Sequence, residues 1–340
     1  MEWYTSDPTS SATRHEAARR EQRSWSRRVW LGRVGLGIGF GMGAISTSTL
    51  TLTSSVLANP TNPQPSPVID PIERTRPSHL KLSLAAYSFR KELTAKPPTM
   101  NLFDFVNFAA DHGLDGVEPT SYYIPADADD AWLRKLRLHA FKLGLDISGT
   151  SIGNNGTLAP GEARDAELRK AIKGIDHAAV MGAPVVRVFA GNVPRDSNEE
   201  EAFQRAVAFL NAMLEHAAKR GVMLALENHG GITATADQML RLVEAIDSPW
   251  FGVNLDSGNF RTADPYGDFA RLVPYAVNVH VKTEIQTQGQ AKVEADLNRL
   301  IDILRDAKYS GYVVLEYEAP EEPRSAIPRY LATLKKILGR

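Results

Sequence analysis

Ala217-Ala218-Lys219-Arg220-Gly221-Val222-Met223-Leu224-Ala225-Leu226-Glu227-Asn228-His229 is the stretch whose reading decides the fold. Upstream of it, Glu200–Arg220 carries apolar residues three and four apart, the period of an amphipathic helix. Gly221 then stands where a residue free to turn left-handed closes a last helical turn. Val222–Asn228 is continuously apolar up to Glu227, as a parallel strand covered by helices should be. An acid ending such a strand is costly to bury unless it is paired or faces a cation.

The same helix–glycine–strand junction recurs outward from this point. It appears at Asp111-His112-Gly113-Leu114, Lys142-Leu143-Gly144-Leu145, Val180-Met181-Gly182-Ala183 and Tyr309-Ser310-Gly311-Tyr312. Ser248-Pro249-Trp250 and Val273-Pro274-Tyr275 use proline instead. The strands expected after these junctions are Leu114–Glu118, Leu145–Thr150, Pro184–Ala190, Val222–Asn228, Phe251–Asp256, Ala276–Lys282 and Tyr312–Tyr317. Leu80–Ser88 precedes the first helix and makes eight. Strands alternating with helices predict an α/β fold, a single (β/α)₈ TIM barrel over residues 80–340. An open doubly wound sheet is less favoured, because no Gly-x-Gly-x-x-Gly turn follows the first strand.

Reactive groups in such a barrel sit at the C-terminal ends of strands. The last four strands end in Glu227, Asp256, His280 and Glu316, three carboxylates and an imidazole. This hard, oxygen-rich set predicts one divalent metal ion, Mn²⁺ first, with Mg²⁺, Co²⁺ or Zn²⁺ as alternatives.

The motifs Ala225-Leu226-Glu227-Asn228-His229, Val253-Asn254-Leu255-Asp256, Val279-His280-Val281-Lys282 and Val314-Leu315-Glu316 resemble the xylose isomerase-like superfamily. It includes sugar isomerases, ketose 3-epimerases, inosose dehydratases and endonuclease IV. The resemblance implies that Glu227 and Glu316 bind the metal and also exchange substrate protons, while Asp256 and His280 hold the metal. It implies a sugar isomerase or epimerase working through a metal-stabilised enediolate. A lyase or dehydratase acting on a keto-sugar, inosose or 3-keto-glycoside would use the same residues. A non-catalytic sugar-binding protein is the reading from a different class.

The chain departs from the superfamily at residues that would name a substrate. Asn259 stands where many relatives have a histidine, and Thr283–Gln288 lacks the arginine that epimerases place after the strand-7 histidine. Lys282, on the same strand face as His280, is expected to replace it and bind substrate, with Asn259 beside it. His229 shares a strand direction with Glu227 and is expected to reach substrate, the alternative being a loop histidine. Arg187 is expected to hold a hydroxyl or an anionic group, or else to pair inside the barrel with Glu118 or Glu227. Glu118 is a base, a sugar-binding group or the partner of Arg187. Tyr122-Tyr123 offers an aromatic face to a sugar ring, and Trp250 is read as core. His112, His139, His177 and His216 fall on helices or their ends, away from the site.

The N-terminal region reads differently. Arg27-Arg28-Val29-Trp30-Leu31, a Gly-rich apolar run from Val34 to Val56 and the small residues around Ala58 resemble a twin-arginine export signal over 1–58. Export to the periplasm is expected, with an uncleaved membrane anchor as the alternative. Residues 59–79 carry Pro60, Pro63, Pro65, Pro67, Pro71 and Pro77 and read as an extended, unpacked linker. Without residues 1–58 the net charge moves from −1 to −4, which opposes a nucleic-acid partner. The absence of cysteine excludes disulfides, thiolate–zinc sites and a cysteine nucleophile. The expected partner is a small carbohydrate, with no stable membrane partner after cleavage, and exposed barrel helices leave room for a homo-oligomer.

Overall fold

The computed structural model describes residues 70–340, so the expected export signal and the first part of the linker lie outside it. The strands are β1 (Leu80–Ala85), β2 (Gly116–Glu118), β3 (Asp146–Ile147), β4 (Thr150–Ser151), β5 (Val185–Val188), β6 (Met223–Glu227), β7 (Phe251–Asp256), β8 (Ala276–Val281), β9 (Glu284–Ile285), β10 (Val293–Glu294) and β11 (Gly311–Leu315). Nine of them form one parallel sheet in the order β3-β2-β1-β11-β8-β7-β6-β5-β4. It is a nearly closed α/β barrel, filled by interior side chains.

The third expected strand is broken. Its first part, β3, pairs with β2, and its second, β4, pairs with β5. Ser148 and Gly149 lie between the two. Ser148 is tied back to β2, its Oγ donating to the carbonyl of Val117 at 3.0 Å. At Gly149 an added Cβ would come to 3.0 Å from Val185 Cγ1 and 3.4 Å from Glu118 Oε2, so a larger residue at the crossing would have to push Val185 aside.

Helices α1 (Arg90–Thr94), α2 (Leu102–Asp111), α3 (Asp130–Lys142), α4 (Glu162–Met181), α5 (Glu199–Arg220), α6 (Ala236–Glu244), α7 (Pro265–Leu272), α8 (Leu297–Asp306) and α9 (Pro323–Leu338) fill the gaps between strands. α5 buries Ala202, Ala206, Phe209, Leu210, Met213, Leu214 and Ala217, the face its sequence period predicts. Its first turn is capped by the Asn198 side chain, which accepts from the backbone of Glu201 at 3.0 Å. Gly182 and Gly221 close α4 and α5 with φ of 76° and 68°, as the junction pattern requires. After α8 Lys308, at φ 55°, takes the helix-closing left-handed turn, and Gly311, at φ 152°, follows where the chain enters β11. There the helix ends sooner than its glycine suggests.

Other details differ from expectation. Most strands are shorter than their apolar runs, because hydrogen-bonded pairing stops where loops leave the ladder. A short antiparallel hairpin of β9 and β10 follows β8 and was not expected from its polar sequence. The described part of the proline-rich segment is pinned to the barrel rather than free. Ile72 donates to the carbonyl of Pro274 at 2.9 Å, and Arg74 reaches the carbonyl of Ala276 at 2.6 Å. Trp250 packs against the core just before β7, half-buried. No helix among the described residues is long and apolar enough to cross a membrane.

Candidate metal centre

Glu227 and Asp256 are the last residues of β6 and β7, His280 lies near the end of β8, and Glu316 follows β11 directly. Alternation along a strand turns these residues to the barrel interior, and register sets Asp256 opposite His280 and Val314 beside it. All four are buried. One ligand atom each from Asp256, His280 and Glu316 lies within 4.8 Å of the others. These three form the candidate ligand group.

His280 is fixed from behind. Its Nε2 lies 3.0 and 3.1 Å from the two carboxylate oxygens of Glu118. With the proton on Nε2 donated to Glu118, Nδ1 carries the lone pair and faces the ligand group. Nδ1 is 3.3 Å from Glu316 Oε2 and 3.8 Å from Glu227 Oε2. Neither Nδ1 nor the buried Asp256 Oδ2 has a hydrogen-bond partner. Buried polar atoms are seldom left so, and a divalent ion between them would satisfy both. The donor set therefore fits a metal.

Beneath the carboxylates lies a layer of amides that the sequence reading missed. Asn254 donates to Glu227 Oε2 at 3.0 Å, while Asn278 donates to Glu118 Oε2 at 3.0 Å and to Asn254 Oδ1 at 2.8 Å. Each stands two residues before a candidate ligand, so the same alternation that singles out Asp256 and His280 marks them too. Ser151 adds a further bond to Glu118 Oε1, at 2.7 Å.

Glu227 stands outside the three-residue group. Its Oε2 lies 3.0 Å from Arg187 Nε, and Oε1 accepts from Asn259 at 3.2 Å. Arg187 thus makes the interior ion pair, choosing Glu227 rather than Glu118; it also donates to Tyr122 Oη at 3.3 Å and lies against Phe189. Glu118 serves His280. Lys282 turns inward, its Nζ 2.5 Å from Glu316 Oε2, 2.8 Å from Glu318 Oε1 and 3.4 Å from Asp256 Oδ2. His229 is exposed, its ring tilted against Phe189, in a cleft of about 520 Å³ lined also by Asn259, Arg261, Thr262, Gln288 and Glu318. His112, His139, His177 and His216 lie on or at the ends of α2 to α5, away from the ligand group.

The electrostatics follow from burial and these partners. Burial favours neutral carboxyls, pushing Asp256 up to about 7 against the pull of Lys282, and raising Glu227 against Arg187. At Glu316, Lys282 and His280 outweigh the same burial and hold the carboxyl well below the usual range. At His280, burial opposes the charge, but Glu118 and Glu316 raise the imidazole well above its ordinary value.

Solved structures with the same fold are numerous. The chain is similar to a D-psicose 3-epimerase crystallised in the presence of D-fructose, at 16% identity and a TM-score of 0.62, over 76% of this chain and 100% of that one. It is similar to the IolI protein with a bound zinc atom, at 18% identity and 0.59, over 76% and 96%. It is also similar to the probable 3-DHS dehydratase AsbF of Bacillus anthracis, at 20% identity and 0.55, over 76% and 99%. No curated protein sequence matches it significantly. The family model for the xylose isomerase-like TIM barrel matches residues 106–337, most of the described chain and every strand bearing a candidate ligand. The chain belongs to the xylose isomerase-like TIM-barrel family.

Proposed function

We propose that this protein is a divalent-metal-dependent isomerase or epimerase of a free sugar or related polyol. The observation that carries the reading is the buried group of Asp256, His280 and Glu316, in which neither His280 Nδ1 nor Asp256 Oδ2 makes a hydrogen bond. The chemistry a bound divalent ion supplies is Lewis-acid polarisation of a carbonyl and its neighbouring hydroxyl, which acidifies the C–H between them. Mn²⁺ suits the oxygen-rich donors best, with Mg²⁺, Co²⁺ and Zn²⁺ as alternatives.

The chain's own residues account for the rest. Glu316 and Glu227, whose Oε2 atoms lie 3.3 and 3.8 Å from His280 Nδ1, are the two carboxylates that take and return the proton. Arg187, Asn254 and Asn259 hold Glu227 in place, and Glu118 holds His280. The cleft bearing His229, Asn259 and Arg261 opens beside them and suits a polyhydroxylated substrate. The N-terminal sequence supports export to the periplasm by the twin-arginine route, which Arg27→Lys with Arg28→Lys should block in a fractionated culture.

Incubating the metal-loaded protein with keto-sugars and keto-glycosides in D₂O tests the proposal. Deuterium incorporated at a carbon next to the carbonyl, with formation of an isomer, is the expected result. An enone or a released aglycone without isomer would make the protein a lyase instead.

A further inference from the structure

The ammonium of Lys282 stands where the ligand group would present its charge. It touches two of the three candidate ligands, Glu316 at 2.5 Å and Asp256 at 3.4 Å, and its third contact is Glu318 at 2.8 Å. The lysine is buried, and the turn after Asp256 makes room for it. Ser257 Oγ accepts the backbone N–H of Lys282 at 2.9 Å. At Gly258 an added Cβ would come to 2.6 Å from Lys282 Cγ and 2.7 Å from its Cβ, so the stem can pass only over a glycine. The residues following one candidate ligand thus shape the path of the lysine.

Four buried carboxylates, Glu118, Glu227, Asp256 and Glu316, crowd the barrel mouth. Arg187 answers Glu227, His280 answers Glu118 and stands 3.3 Å from Glu316, and Lys282 answers both Asp256 and Glu316. An ammonium and a divalent cation at the same pair of carboxylates repel one another with little water between them.

We propose that Lys282 is a tethered counter-ion that holds Asp256 and Glu316 together in the metal-free protein and competes with the metal for them. This rests on the metal-dependent reading above and adds a residue that opposes loading. Once the metal is bound, Glu318 at the edge of the cleft is the partner left to the ammonium.

Calorimetric titration of the metal-free full chain with Mn²⁺, beside thermal melting with and without Mn²⁺, tests it. Lys282→Met should bind Mn²⁺ roughly tenfold or more tightly than the wild type, within the usual range for coupled binding events. The same variant should melt lower than the wild type without metal and recover when it is added. Lys282→Gln keeps hydrogen-bond donors for Glu316 and Glu318 without the charge, and should also bind Mn²⁺ more tightly. Lys282→Arg, which keeps the charge, should bind like the wild type. Unchanged or weaker binding by both neutral variants, with the wild type binding normally, overturns the competition and leaves the metal reading intact. If the wild type and all variants fail to bind Mn²⁺, Zn²⁺, Co²⁺ and Mg²⁺, both fall.

Discussion

His280 Nε2 and Glu118 Oε1 lie 3.0 Å apart across the barrel interior, joining β8 to the end of β2. This contact decides which imidazole nitrogen is left for a metal. Glu118→Gln keeps an acceptor but removes the charge that makes the ring a stronger ligand. Metal affinity should fall by roughly 10- to 100-fold, as for other groups that orient metal-binding histidines. Competition with a fluorescent chelator measures it, and unchanged affinity would separate Glu118 from the metal centre.

Arg187 and Glu227 form a buried pair, so removing one partner strands the other's charge. Arg187→Met should cost about 3–5 kcal/mol of stability, seen in chemical denaturation. Adding Glu227→Gln should recover part of that loss. A double variant no more stable than the single one would mean that Arg187 acts mainly through Tyr122 and the carbonyl of Ile152.

Metal removal should lower the melting temperature of the wild type, because a ligand bound only by the folded state stabilises it by about 2.7 kcal/mol at a hundred times its dissociation constant. Asp256→Asn and Glu316→Gln should abolish most of that difference. A chelator that leaves the wild-type melt unmoved would count against the ligand group.

Gly258→Ala should destabilise the protein by about 1–3 kcal/mol, the usual cost of overpacking, since its Cβ would meet the Lys282 stem and come within 2.9 Å of the carbonyl of Glu284. Combining it with Lys282→Gly, which removes both stem atoms and leaves only the Glu284 carbonyl in the way, should recover part of that cost. Denaturant midpoints of the two single variants and the double variant test the coupling.

Local pattern made the barrel and the order of its polar strand ends legible. Gly182 and Gly221 end helices through their own backbone freedom, and Glu227, Asp256, His280 and Glu316 each turn inward by alternation within one strand. Partnership was not legible, because it depends on distances across the barrel. Whether Arg187 meets Glu118 or Glu227 depends on the barrel's width, and so does the inward reach of Lys282 to Glu316. Asn254 and Asn278 were readable from their spacing. As amides they lie outside the acids and histidines that mark a metal-binding set. Lys308 and the hairpin of β9 and β10 carry no strong local signal, so only tertiary packing sets them.

The break at Ser148-Gly149 gives the barrel wall a seam. The strands bearing Asp256, His280 and Glu316 are direct neighbours on its unbroken side. Glu118 and Arg187, which brace His280 and Glu227, stand on the two strands flanking the gap, bridged there by Ser151 and its pairing with Arg187. A substitution at the break would reach Glu118 and Arg187 before it reached the three candidate ligands.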